Sequence, residues 1–209
     1  MKKTIVFFLL ILGLAFLIIS TKVGTVFLAL AVVGILIIVV ERKAEILDNW
    51  SALIRGAQGQ RDQVISTTKE LINISKAPLL EMKEEKVGPG LALTTLGETR
   101  EFLIVADRRN LKLGCFKAYV NANDYGDGLF VSWYLTYMPD VWQTIASLIP
   151  GAGKIIGLDD LNLFNKQDLT AYVTCVHQCM IEAVEKMMSG KGLDTSKIDR
   201  RTKGFLGIS

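Results

Sequence analysis

The sequence predicts an α+β membrane protein with an N-terminal transmembrane helical hairpin, a long helical stalk, and an antiparallel β-meander packed with a C-terminal helix. Three observations predict it. Thr4 to Val40 holds two apolar runs with no charge inside either. Apolar residues then recur at heptad spacing from Ile46 to Ile74. Finally, three extended, β-rich stretches between Glu101 and Met138 precede one broad helical face between Asn165 and Met188.

The hairpin is read from hydropathy. Thirteen of the fifteen residues from Ile5 to Ile19 are Ile, Val, Phe or Leu, and twelve of the fifteen from Val26 to Val40. Each run favours a bilayer by roughly 4–8 kcal/mol before its small residues are discounted. Each has about the minimum length of a span, and one helix through the whole stretch would overshoot the hydrocarbon. A reversal at Lys22 and Gly24 resolves this, since glycine turns tightly and lysine reaches the headgroups. Lys2 and Lys3 precede the first run and Arg42 and Lys43 follow the second. These basic flanks place both termini in the cytoplasm. A cleaved signal peptide and a re-entrant hairpin are the alternatives; both leave the remainder on the cytoplasmic side.

Lys2, Lys3 and Lys22 are the only charges in the first 40 residues and account for the whole net charge of +3. The remainder balances 21 basic against 21 acidic side chains. A neutral domain lacks the basic surplus that phosphate binding requires, which argues against nucleic acid as a partner. Three cysteines, Cys115, Cys175 and Cys179, are sparse and odd in number. They suit a reducing compartment.

Glu41 to Lys76 contains no proline and carries Ile46, Trp50, Leu53, Ala57, Gln60, Val64, Thr67, Leu71 and Ile74 at alternating spacings of four and three. The stripe predicts one long helix, either packed on its own domain or self-associating as a coiled coil. Gly56 to Gln60 weakens its centre and is where a kink or break would fall. Ala77-Pro78 ends it.

Leu80 to Val87 predicts a solvated edge strand, and Glu101 to Ala106 a more apolar one. Leu113 to Asn121 and Leu129 to Met138 alternate around the turn formers Asn123 to Gly128, which predicts a hairpin and, with the preceding strand, a meander. Val141 to Ile149 suggests a short amphipathic helix, and Pro150 to Gly157 a glycine-rich loop. Asn165 is the expected N-cap of the last helix, with Asp168 three residues on. Its core face is Leu169, Tyr172, Val173, Val176, Cys179, Met180, Ala183, Val184 and Met187. Ser189-Gly190 ends it, and a polar, basic tail follows, either loosely ordered or docked on a partner, a second copy or anionic headgroups. The domain boundaries are 1–40 for the hairpin, 41–77 for the stalk, 78–190 for the cytoplasmic α+β domain and 191–209 for the tail.

No motif singles out chemistry. Gly151-Ala152-Gly153-Lys154 resembles the end of a phosphate-binding loop, but Leu148 and Ile155 stand where that pattern needs Gly and Ser or Thr. Cys175 and Cys179 lie one turn apart and supply half a zinc site; His177 points elsewhere on a helix, and Cys115 would have to arrive from the sheet. Buried or half-buried thiols and a solvent-facing His177 are the simpler expectation. Asp107-Arg108-Arg109 and Asn123 to Asp127 gather polar groups at strand ends, yet the second lacks the spacing and closing Glu of a calcium loop. Tyr119, Trp133, Tyr134 and Tyr137 would line a ligand face or fill a core. Neither catalytic, metal nor cofactor residues are assigned, which argues against an enzyme.

The functional expectation is a membrane-anchored, non-catalytic scaffold or accessory subunit. It would hold a protein partner, or copies of itself through the stalk or an exposed sheet face, at the cytoplasmic membrane face. The alternative is a small-molecule sensor or enzyme with a pocket between the sheet and the last helix. A channel is disfavoured because the apolar runs have no ionisable residue at their centres.

Overall fold

A computed structural model of the chain describes residues 34, 44–77, 80–88, 98–107, 113–139 and 161–202. The elements are β1 (Glu45–Arg55), α1 (Arg61–Ile74), β2 (Leu80–Val87), β3 (Arg100–Asp107), β4 (Phe116–Tyr125), β5 (Gly128–Tyr137) and α2 (Leu163–Gly190), followed by a 3₁₀ turn at Thr195–Lys197. They belong to one compact unit, Ala44–Met138 with Leu161–Ser209. The hairpin of residues 4–40, Gly34 apart, the short helix of 141–149 and the Gly151–Lys154 loop lie outside the described residues. Among those described, no helix is long and apolar enough to cross a membrane.

The β-meander and the last helix stand as expected. The sheet has one strand more than the meander and its neighbouring edge strand account for. All pairings are antiparallel and the order is β1-β5-β4-β3-β2. The fifth strand is the correction to the stalk. Glu41 to Lys76 is not a single helix, because its first part is β1. Asp48, Trp50, Ala52 and Ile54 alternate onto one face, and β1 pairs with β5 along its length, with an irregularity at Leu47. The chain reverses through Gly56 and Gly59, both with positive φ, 73° and 77°. That conformation suits glycine and breaks a helix. The heptad residues from Val64 onward then form α1, which buries Val64, Ile65, Thr68, Leu71 and Ile72.

Strand register divides the sheet into two faces. One transverse row runs Glu84, Leu103, Val120, Trp133, Trp50, and the next runs Lys83, Ile104, Tyr119, Tyr134, Asn49 on the opposite side. Both described helices lie on the first, inner face. Lys69 of α1 pairs with Glu84, and Arg61 pairs with Glu101 at 2.9 Å. Tyr172 of α2 reaches between β3 and β4. Leu129, Val131, Trp133 and Leu135 of β5, with Leu169, Val173, Val176 and Met180 of α2, have no exposed surface. Complete burial of an aliphatic side chain contributes about 1.5–3 kcal/mol, so this interface dominates the stability of the unit.

The outer face carries a second apolar cluster. No described helix packs on it, yet Phe102, Ile104 and Tyr119 are under 10 % exposed. They cluster with Val87, Ala44 and Tyr134. Phe102 and Tyr119 meet edge to face with centroids 6.0 Å apart.

The N-cap of α2 is Asn162, not Asn165: its side chain accepts the Asn165 N–H at 2.8 Å. Asn165 itself is buried inside the first turn. The expected core face of α2 is buried in full. After α2, Gly192 (φ 69°) turns the chain, and the Leu193 N–H closes on the Met188 carbonyl at 2.9 Å. The Asp194 carboxylate caps the 3₁₀ turn through the Ser196 N–H at 3.0 Å. The described part of the tail packs on the unit. It runs antiparallel to β1, with Leu193 beside Gly56, Asp199 beside Trp50 and Thr202 beside Asp48.

Candidate functional site

The most polar part of the inner face gathers where β1, β5, α2 and the tail meet. His177 is 3 % exposed, not solvent-facing. Its Nδ1 accepts the Trp133 indole N–H at 2.8 Å, and its Nε2 lies 2.7 Å from the Arg200 carbonyl oxygen. Trp133 can only donate and a carbonyl can only accept, so the ring is neutral with its proton on Nε2. The Trp133 and Trp50 rings flank it at 5.6 and 6.1 Å between centroids.

The Trp50 indole donates to the Asp199 carbonyl at 2.5 Å. Buried Asp48 accepts the Asn49 N–H at 2.7 Å and the Thr202 hydroxyl at 3.3 Å. Arg200 in turn pairs with Glu185 of α2. Residues 199–202 are thus strapped to β1 and α2 by two aromatic N–H groups or ring nitrogens, one carboxylate and one surface ion pair.

Burial pushes the His177 pKa down, against the Arg200 carbonyl bond and the Asp48 charge, which both favour the cation. A histidine with a depressed folded pKa contributes nothing adverse above its ordinary value of about 6.5, where both states are neutral. As pH falls through that value, the unfolded chain takes up the proton first and stability is lost. Urea titrations from about pH 7 to about pH 5 are expected to show the midpoint falling, with a flatter profile for His177→Gln. An equal fall in both would remove His177 as the cause.

The one lone pair of His177 already accepts the Trp133 N–H. Among the described residues, every buried side-chain nitrogen and oxygen has a hydrogen-bond partner. None of them form a cluster of three or more His, Cys, Asp or Glu placed to hold a metal.

The other residues singled out by sequence serve the fold or fall apart in space. Trp133 and Tyr137 face inward, whereas Tyr119 and Tyr134 face outward, so these four do not line one surface. Asp107 is buried on β3; Arg108 and Arg109 lie outside the described residues. The turn after β4 is a docking point for the loop before α1: Asp124 accepts the Gly59 N–H at 2.9 Å and Asp127 the Gly56 N–H at 3.0 Å.

Cys115 and Cys179 are buried, and Cys175 is half-exposed. Cys175 Sγ lies 3.4 Å from the Ser75 hydroxyl at the end of α1. It opens into a groove of about 520 Å³ between the two helices, walled by Leu71, Ile74, Ala171, Thr174, Gln178 and Glu182. A second groove of about 520 Å³ lies between β1 and the tail, near Leu53, Met188, Leu193 and Ile198.

Sequence reasoning missed Asp48, Trp50 and the tail as one cluster. Its partners are main-chain carbonyls of Asp199 and Arg200, which leave no side-chain signal. Comparison with protein-family models, with curated proteins and with solved structures finds no match.

Proposed function

We propose that the chain is a membrane-anchored, non-catalytic scaffold or accessory subunit that holds a protein partner, or copies of itself, at the cytoplasmic membrane face. The apolar runs of Thr4 to Val40 and their basic flanks supply the anchor and its direction. The observation that favours a scaffold over a small-molecule sensor or enzyme is the filled interface between β5 and α2. A ligand pocket there would need space that Trp133, Leu135, Val176 and Met180 occupy, each with no exposed surface.

Trp50, Val64 and Leu71 of the heptad stripe are buried in their own domain, so they are not available as a coiled-coil seam. Among the described residues, the exposed large apolar side chains are Ile46, Leu53, Ile74, Tyr125, Leu163 and Phe164, the last two at 69 % and 73 %. Leu163 and Phe164 open α2 side by side, which makes them the first contact to test.

Size measurement in mild detergent, on the full chain and on a chain lacking residues 1–40, together with a pull-down, tests the proposal. An oligomer or a retained partner is expected, weakened by Leu163→Ser with Phe164→Ser. A monomer that retains nothing in either form would overturn it.

A further inference from the structure

We propose that the end of the described unit where α2 begins rests on the phospholipid bilayer that holds the apolar runs, with Leu163 and Phe164 inserted at the headgroup boundary. The inference rests on the membrane-anchor part of the scaffold reading. In detergent this pair is open to a protein; in the bilayer its neighbour is lipid.

Chain direction selects this end. β1 begins at Glu45, five residues after Val40, where the second apolar run stops. Five residues span at most about 18 Å, so the start of β1 stays within that distance of the run. Glu45 faces Tyr137, so the chain also leaves the unit at this end, after Met138. It re-enters at Leu161, two residues before α2.

α2 points its first turn the same way. Tyr172 bonds to Val105 and Ala118, in the transverse row of Leu135 and Asp48. His177 bonds to Trp133, in the row of Trp50, two residues further along β1. Met188 lies beside Ile54 and Arg55 at the far end of β1. Going back from Tyr172 to Leu163 therefore moves toward the Glu45 end, by about 13 Å of helix. Asp48 to Glu45 is about 10 Å of strand. The first turn of α2 thus comes about level with the start of β1.

The composition of that turn suits lipid. Leu163 and Phe164 are 69 % and 73 % exposed although the Asn162 cap fixes the helix start. Lys166 beside them is exposed too. No acid occupies the first turn, whereas a helix N-terminus in water favours acids there. Two apolar side chains and a lysine on a helix N-terminus match the acyl boundary and the phosphate layer above it, a zone that apolar helix faces enter by about 5–10 Å. Ile46, half exposed, adds an apolar side chain at the same end. Tyr125 is as exposed as Phe164 but closes the other end of β4, about 30 Å from Phe116, which faces Tyr137.

The test uses the full chain in vesicles of phosphatidylcholine and phosphatidylglycerol. A nitrobenzoxadiazole label is placed at Phe164→Cys or at Tyr125→Cys, each with Cys175→Ser, since Cys115 and Cys179 are buried. Flotation with the vesicles is expected, with label emission blue-shifted at 164 and quenched there by nitroxide-bearing phospholipid several-fold more than at 125. Failure to float overturns the anchor and this inference with it. Flotation with equal quenching at the two positions overturns this inference and leaves the anchor standing. A blue shift at 164 without quenching by the lipid means that protein covers the pair, a second copy or another part of the chain, and overturns the lipid contact. The unsubstituted chain, photolabelled by a diazirine phospholipid and mapped by peptide mass spectrometry, decides the outcome where a variant fails to fold. Label on the peptide of Leu163 and Phe164 in preference to that of Tyr125 supports the contact, and the reverse or an even spread overturns it.

Discussion

Trp133→Ala is expected to lose about 4–6 kcal/mol of unfolding free energy. Removing a fully buried aromatic side chain costs about 3–5 kcal/mol through lost transfer energy and the cavity left behind. Trp133 has no exposed surface, and it also donates to His177 Nδ1 at 2.8 Å. Its loss leaves that nitrogen buried without a donor, a further cost of about 1–3 kcal/mol. A domain of this size holds about 5–15 kcal/mol in total, so much of its stability goes with one side chain. Urea unfolding followed by far-ultraviolet circular dichroism measures it. Trp133→Phe keeps most of the ring volume and removes only the donor, and is expected to cost about 1–3 kcal/mol. Equal losses in the two variants would show that packing around the indole contributes little.

Tyr172→Phe is expected to cost about 2–3 kcal/mol although it removes one oxygen. The Tyr172 hydroxyl donates to the Val105 carbonyl at 2.6 Å and accepts the Ala118 N–H at 2.9 Å. Val105 and Ala118 face each other across β3 and β4, so one hydroxyl of α2 bridges two strands of the sheet. Burial raises the phenol pKa far above its ordinary value, so the group stays protonated and able to donate at any pH of interest. Phenylalanine fills the same space but leaves a buried donor and a buried acceptor without this partner, at about 1–3 kcal/mol each, less what the strands recover by closing together. The direct readout is hydrogen exchange at the Ala118 amide, expected to speed up beyond its neighbours in β4. Unchanged protection at Ala118 would show that the strands pair there without the hydroxyl.

Which elements were legible follows from where their signals lie. β4 and β5 alternate cleanly around Asn123 to Gly128, and the two faces read from period two are those that the register shows. The core face of α2 was equally plain, since every third or fourth residue from Leu169 to Met187 is apolar. Its cap was misplaced by three residues because Leu163 and Phe164, both exposed, resemble the approach to a helix more than its first turn. β1 reads as helix in sequence because Trp50, Leu53 and Ala57 satisfy a three-four spacing, while the irregularity at Leu47 breaks the period-two pattern. Only β5, far along the chain, decides between them. The site escapes a local reading for a similar reason. The pocket that buries His177 is built by Trp133 and by the Arg200 main chain, neither of which a local window around His177 contains.

The pairing of β1 with β5 sets a schedule for biosynthesis. Glu45 faces Tyr137 and Arg55 faces Gly128, so among the described strands the first made is matched to the last. At about 5–20 residues per second, a ribosome needs roughly 5–20 s to deliver β5 after β1 has emerged. Throughout that interval Trp50, Ala52 and Ile54 have no strand beside them, while β2, β3 and β4 can already assemble in order. Nascent chains arrested before Gly128 should therefore present β1 to chaperones or to neighbouring nascent chains, and chains arrested well past Tyr137 should not.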